Sequence, residues 1–147
     1  MNRSKLPIGI QAFREIREGG FYYVDKTGFA LRLIDEGKYY FLSRPRRFGK
    51  SLFLDTLAEL FSGSRELFTG LAAEERWDWS RRYPVVRLSF NEGPLVNRSQ
   101  LDAKIGELLD ENSANLGVDC QAPTLSGRLR ALILAAAAKH GERVVVL

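Results

Sequence analysis

The chain has 147 residues, of which 45% are hydrophobic, and 22 basic against 18 acidic side chains give a net charge of +4. These values predict one globular domain with its own core, exclude a disordered chain, and give too small a charge excess to indicate nucleic-acid binding by themselves. No apolar run is as long as a membrane helix, and no signal-peptide pattern follows Met1. One cysteine, Cys120, and one histidine, His140, make neither a disulfide nor a zinc site. We therefore expect a cytoplasmic protein without membrane contact.

The first part of the chain predicts two helices and a β-prone run. Phe13 and Ile16 are three residues apart, which indicates one or two helical turns. The run from Phe21 to Val24 has high β-propensity. Thr27 is a typical N-cap for a helix that Gly37 ends.

A strand, a loop and a helix are predicted next. The aromatic and apolar run Tyr39–Ser43 is typical of a buried strand, and Pro45 and Gly49 prevent its continuation. Apolar residues then recur at helical spacing and predict a helix over Ser51–Phe61, with a stripe formed by Phe53, Leu57, Leu60 and Phe61.

The remaining elements alternate in type. Pro84–Phe90 alternates as a strand does, Ser99 begins one helix, and Thr124 or Ser126 begins another that ends at Gly141. Arg143–Leu147 predicts a strand covered on both faces. We therefore predict an α/β fold of three layers with a mainly parallel sheet, in one domain over 1–147. Because the sequence stops on a buried strand, we expect the domain to be truncated there.

The loop between the predicted strand and helix carries the chemistry. Arg44–Ser51 ends in the Gly-Lys-Ser of the Walker A pattern, although that pattern has glycine where this chain has Arg44. The loop N–H groups and the helix N-terminus favour phosphate, Lys50 suits the β- and γ-phosphates as the catalytic cation, and the Ser51 hydroxyl suits Mg²⁺. The predicted ligands are ATP and Mg²⁺, and the predicted nucleotide-binding residues are Arg46, Arg47, Phe48, Gly49, Lys50, Ser51 and Leu52.

Several residues have two interpretations. Arg46 and Arg47 either bind phosphates or stabilise transition-state charge, or they are solvated loop charges or contact the acidic surface of a partner. Tyr23, Asp25 and Thr27 either line the base side of a nucleotide or form a helix cap with core aromatics, and we favour the second. Trp77 and Trp79 indicate packing rather than base stacking.

Beyond the loop, the sequence resembles the AAA-ATPase-like family of prokaryotic P-loop proteins. The resemblance is carried by Arg44-Pro45-Arg46-Arg47-Phe48-Gly49-Lys50-Ser51 and by the segments 6–9, 13–17, 22–27, 40–43 and 83–88. It implies a P-loop NTPase-like sandwich, cut after the strand that precedes the acidic Walker B residues, and a C-terminal nuclease-like domain of the PD-(D/E)XK type. It also implies that a strand between the Tyr39–Ser43 strand and the last strand is absent, so we expect a gap in the sheet and low stability.

Two functions follow as expectations. The first is an ATP-dependent ATPase or switch module that acts on a C-terminal effector, although the sequence has no Walker B acid to activate water. The alternative is a non-hydrolysing module whose basic loop binds nucleic acid or a protein partner; a small-molecule kinase is a third option. Oligomerisation is compatible with each of them.

Overall fold

The computed structural model describes residues 5–91 and 93–147, and about half of them are helical. The helices are Phe13–Glu18 (α1), Thr27–Glu36 (α2), Lys50–Ser62 (α3), Ala73–Arg76 (α4), Arg98–Leu116 (α5) and Leu125–His140 (α6), with a 3-10 helix at Arg65–Phe68. The strands are Val85–Val86 (β1) and Val145–Val146 (β2). The chain divides into two compact units, Met1–Arg81 and Arg82–Leu147.

Aromatic packing holds the first unit together around α1. Phe13 and Ile16, one helical turn apart, are fully buried. The Phe13 ring centroid lies 5.0 Å from that of Tyr23 and 4.9 Å from that of Phe68. The Phe13 amide also donates to the Asp55 carboxylate at 2.7 Å. Since Asp55 belongs to α3, this bond fixes α3 against the start of α1.

The second unit is a parallel two-stranded sheet packed on two long helices. Val85 pairs with Val145 and Val86 with Val146, and the Leu88 amide extends the ladder by donating to the Leu147 carbonyl at 2.8 Å. Both helices are capped by side chains, from Asn97 in α5 and from Thr124 in α6. The buried core consists of Val86, Leu109, Cys120 and Leu132.

A side chain of α5 covers the backbone of Arg87, the residue that follows β1. The Asn112 Oδ1 accepts from the Arg87 amide at 2.9 Å, and its Nδ2 donates to the Arg87 carbonyl at 2.8 Å. The Asn112 side chain thereby satisfies the same backbone groups as a neighbouring strand would. It is buried, and its Nδ2 also donates to the Leu108 carbonyl at 2.7 Å.

The predicted three-layer P-loop sandwich is wrong for this structure, because the described residues contain only one two-stranded sheet. Tyr39–Ser43 forms no strand, and Tyr39 and Phe41 are each 93% exposed. A strand requires a partner for its backbone N–H and C=O groups, and none pairs with this segment in the part of the chain that the structure describes. Pro84–Phe90 and Arg143–Leu147 are reduced to β1 and β2, and Val146 of β2 is 48% exposed rather than covered.

The four longest helices lie close to their predicted positions, whereas α4 and the 3-10 helix at Arg65–Phe68 were not predicted. Thr27 is the first residue of α2 rather than its cap, and Asn97 rather than Ser99 caps α5. The predicted cap at Thr124 and the end at Gly141 are confirmed. No helix within residues 5–91 and 93–147 is long and apolar enough to cross a membrane.

Candidate functional site

The Gly-Lys-Ser segment lies where an exposed loop becomes helix α3. Residues 44–49 are exposed, and α3 begins at Lys50. Gly49 is the N-cap residue with φ 75°, in the left-handed region that favours glycine. A Cβ at Gly49 would meet nothing within 4 Å, so the glycine serves the backbone conformation of the loop in this structure.

The N-terminus of α3 has no capping side chain. Its first internal bond runs from the Phe53 amide to the Gly49 carbonyl at 2.9 Å. Within the described residues, the amides of Lys50, Ser51 and Leu52 therefore have no acceptor. No acidic side chain lies in the first turn. Three amide donors thus converge at the positive end of a 13-residue helix, which is the arrangement that binds a phosphate.

The Lys50 side chain folds back over the loop. Its Nζ donates to the Arg44 carbonyl at 2.6 Å and to the Pro45 carbonyl at 2.9 Å. An ammonium group has three N–H donors, so one remains for a ligand. Lys50 therefore holds the two ends of the loop together, and its positive charge belongs to the first residue of α3.

Ser51 provides a hydroxyl without an internal partner. The Ser51 hydroxyl forms no hydrogen bond with the described residues. Within the same part of the chain, no group of three or more His, Cys, Asp or Glu side chains is arranged to hold a metal. Asp55, one turn further along α3, is bonded to the Phe13 amide. Mg²⁺ at this site would have Ser51 as its protein ligand, with nucleotide oxygens and water as the others. This set fits Mg²⁺, which keeps several waters in protein sites.

Comparison with known proteins decides the family. The family model described as "Predicted AAA-ATPase" matches residues 7–147. The chain belongs to this AAA-ATPase-like family. It is also 60% identical, over 148 residues, to a protein of Azotobacter chroococcum mcd 1 named "Uncharacterized protein in vnfD 5'region". That alignment covers 100% of this chain and 29% of the relative, so the chain spans less than a third of the relative's length. No solved structure matches.

Family membership confirms the resemblance and indicates a nucleotide-binding, ATPase-like module. The match extends to Leu147 and so includes the region from Ser99 onward, where the sequence resembles the family mainly in its layout. The family match does not assign roles to individual residues. Those roles depend on the geometry of the loop and of α3.

The residues proposed for the base side have structural contacts in the first unit. The Tyr23 hydroxyl lies 3.4 Å from the Thr56 hydroxyl, and burial raises the pKa of Tyr23. Thr56 is five residues after Ser51, about 7.5 Å along the helix axis. Tyr23 is therefore brought to the helix whose N-terminal amides are uncapped.

Asp25 and Thr27 instead connect α2 to α4. The Asp25 carboxylate accepts from the Thr27 hydroxyl at 2.7 Å, from the Thr27 amide at 2.8 Å and from the Ala72 amide at 2.7 Å. Partial burial raises the pKa of Asp25, but these hydrogen bonds outweigh it and lower the pKa below its ordinary value. Thr27 is fully buried and accepts from the Ala73 amide. These contacts agree with the structural interpretation of both residues, and a contact with a nucleotide stays a prediction.

Two other groups of site residues differ in their surroundings. Arg44, Arg46 and Arg47 are exposed, and their guanidinium groups make no hydrogen bond or ion pair with the described residues. Phe48 is 61% exposed, whereas Leu52 is partly buried.

The tryptophans are packed as expected, with Trp79 5.1 Å from Phe68 and Trp77 5.5 Å from Phe61 between ring centroids.

Sequence reasoning missed the residues that position α3 and the 3-10 helix that follows it. Arg14 donates to the Glu59 carboxylate at 3.1 and 3.3 Å and to the Ser64 hydroxyl at 3.3 Å. Arg17 donates to the Leu67 carbonyl at 2.7 Å. Asp55 and Glu59 could have indicated these contacts. They are two carboxylates four residues apart among the apolar residues of α3, and a helix that packs against its neighbours needs partners for such groups.

Proposed function

We propose that this chain binds Mg²⁺–ATP at Arg44–Ser51, with the polyphosphate on the amides of Lys50, Ser51 and Leu52. The main support is the uncapped N-terminus of α3, whose first residue is Lys50. The aligned peptide dipoles place about half a positive charge at this helix end, and Lys50 adds a full charge. A lysine at the first position of a helix is repelled by that dipole, and an anion removes the repulsion.

The residues of the loop have distinct roles in this proposal. The three amides orient the phosphates, and the free N–H of Lys50 stabilises negative charge on the β- and γ-phosphate oxygens, as a catalytic residue for phosphoryl transfer does. Gly49 gives the backbone its left-handed turn into α3. Mg²⁺, when bound to Ser51 and the nucleotide, would neutralise part of the phosphate charge.

The longer relative suggests how nucleotide binding is used. Since that protein is more than three times as long as this chain, we propose that ATP binding or hydrolysis acts on an effector domain elsewhere in such a polypeptide. A nuclease-like effector of the PD-(D/E)XK type is the one that the resemblance implies.

The alternative function is nucleic-acid binding without nucleotide turnover. It is favoured by one observation: exposed aromatic rings at Tyr39, Phe41 and Phe48 flank the exposed arginines of the loop. Aromatic rings that stack on bases and cations that contact phosphates together bind single-stranded nucleic acid.

Isothermal titration calorimetry with Mg²⁺–ATP tests the proposal. Lys50→Ala removes a charged donor, so we expect ATP affinity to fall about 10- to 100-fold. Ser51→Ala should reduce the affinity only when Mg²⁺ is present. Lys38→Ala is the matched control, because Lys38 is an exposed lysine outside the loop without a partner among the described residues. Equal ATP affinity of Lys50→Ala and the parent, together with steeply salt-dependent binding of single-stranded DNA, would support the alternative instead.

A further inference from the structure

The extended segment 84–89, which contains β1, pairs with β2 on one side only. The Pro84 and Val86 carbonyls accept from amides of the β2 segment, and the Leu88 amide donates to the Leu147 carbonyl. Successive residues of an extended chain direct their backbone N–H and C=O groups to opposite sides. The residues between these three therefore direct their backbone groups away from β2, and we call this side the outer edge; they are Val85, Arg87 and Ser89.

The Asn112 side chain occupies the middle of the outer edge. It bonds to both the amide and the carbonyl of Arg87, and its third hydrogen bond, to the Leu108 carbonyl, fixes the side-chain amide on α5. The backbones of Val85 and Ser89, on either side, form no hydrogen bond in the described part of the chain. One side chain thus blocks an edge that its two neighbours leave open.

A groove runs along the outer edge. Its volume is about 360 Å³, and it separates the edge from one face of α5. Arg87 and Ser89 are exposed, so the groove is open to solvent. A strand added to a sheet lies about 4.8 Å from its neighbour, which here means in this groove. The walls include three residues of the edge and three of α5, namely Val85, Arg87, Ser89, Leu108, Asn112 and Asn115.

The segment itself has little else to block its outer edge. Unpaired strand edges pair with other chains, and proteins block them with charged side chains, prolines or covering elements. Arg87 is the one charged residue of the segment 84–89. Pro84 does not block the outer edge, because its carbonyl accepts from the Val145 amide and its missing N–H is on the same side, toward β2.

We propose that Asn112 closes the outer edge to strand addition, and that the strand which the open edge accepts is the same segment of a second copy of this chain. Two identical edges can pair antiparallel about a twofold axis, so a second copy presents matching donors and acceptors. The β-branched side chains of Val85 and Val86 favour such pairing. Asn112 therefore prevents the sheets of two copies from joining.

Sedimentation velocity of the 147-residue chain at a series of protein concentrations tests this proposal. Asn112→Ala opens the edge, so we expect its self-association constant to exceed the parent's about tenfold or more. Adding Ser89→Pro should restore the parent's level, because proline removes an outward N–H and leaves the bonds to β2 intact. Leu132→Ala is the matched control, since it removes core volume from the same unit, leaves Asn112 in place and should associate like the parent.

Hydrogen exchange locates the contact. In Asn112→Ala, exchange at the Val85 and Ser89 amides should slow as the protein concentration rises, because these donors gain acceptors from the second copy. In the parent, exchange at the same two amides should not depend on concentration, because Asn112 keeps the edge closed.

Four results would overturn the proposal. The first is parent-like association of Asn112→Ala with a helical circular dichroism spectrum. The second is equally strong association of Leu132→Ala, which would assign the effect to general loss of stability. The third and fourth are association that persists after Ser89→Pro, and exchange at Val85 and Ser89 that is independent of concentration.

A milder variant covers the case in which Asn112→Ala is unfolded. Asn112→Asp keeps an acceptor for the Arg87 amide but loses the donor to the Arg87 carbonyl. It should associate more strongly than the parent through the same two amides, and parent-like association of folded Asn112→Asp would overturn the proposal.

Discussion

The exposed position of Phe41 gives a direct test of the fold. If Tyr39–Ser43 were a buried strand, Phe41→Ala would remove a core aromatic side chain and cost about 3–5 kcal/mol. In the structure Phe41 is 93% exposed, whereas Phe13 is fully buried between the rings of Tyr23 and Phe68. The two residues are chemically identical and belong to the same compact unit. Their truncation should therefore have very different effects.

The magnitudes follow from the area that each side chain buries. A fully buried aromatic residue removes about 150–250 Å² from water, which at about 25 cal/mol per Å² is about 4–6 kcal/mol. We expect Phe13→Ala to lower the free energy of unfolding by about 3–5 kcal/mol. Less than a tenth of the Phe41 surface is covered, so Phe41→Ala should change this free energy by less than about 0.5 kcal/mol.

Urea unfolding followed by tryptophan fluorescence is the appropriate assay. The chain has two tryptophans, Trp77 and Trp79, and both lie in the first unit with the two phenylalanines. The fluorescence therefore reports on the unit that is mutated. A loss above about 2 kcal/mol in Phe41→Ala would refute the exposed position of the segment and restore the buried strand. Equal small losses in both variants would refute the packing around Phe13 instead.

Two further predictions concern single polar side chains. Asn112→Ala should lower the free energy of unfolding of the second unit by about 1–3 kcal/mol, because the Arg87 amide and carbonyl lose their hydrogen bonds to Asn112. Hydrogen exchange at the Arg87 amide should accelerate, and an unchanged exchange rate would contradict this role. Asp25→Asn should destabilise the first unit at pH 7. Because hydrogen bonds hold the folded pKa of Asp25 below its ordinary value, their stabilisation is present at pH values above that ordinary value and is lost as the pH falls through the folded pKa. Urea unfolding at several pH values should therefore show the parent and Asp25→Asn converging in acid, and a difference that persists there would refute the assignment.

Helices could be predicted from this sequence because their signals are local. The apolar stripe of α3 and the cap of α6 at Thr124 lie within a few residues of the backbone groups that they stabilise. The error at the start of α5 is of the same kind, since Asn97 and Ser99 are both good caps and the structure uses Asn97. Tertiary contacts to α3, such as that from Asp55 to Phe13, involve 42 residues of separation and have no local pattern.

Strands could not be predicted in the same way, because their stability depends on a partner that local sequence does not identify. Tyr39–Ser43 and Val145–Val146 have similarly apolar sequences, yet only the second pairs, with Val85–Val86. Directly after β1, the backbone of Arg87 pairs with a side chain, Asn112, which no strand pattern could indicate. The β-prone run at Phe21–Val24 likewise forms no strand, and the Tyr22 amide donates instead to the Lys5 carbonyl at 2.8 Å.

The predicted phosphate-binding residues are less affected by this error than the fold, for a physical reason. Phosphate recognition at a helix N-terminus requires a turn with the right backbone angles, one turn of helix and a nearby cation. All three lie within Arg44–Phe53, so they form from neighbouring residues regardless of which strands surround them. Hydrolysis requires more, because water must be activated by a group held in place by distant parts of the fold. The proposed nucleotide binding therefore needs only the loop and α3, whereas the proposed turnover would need contacts beyond them.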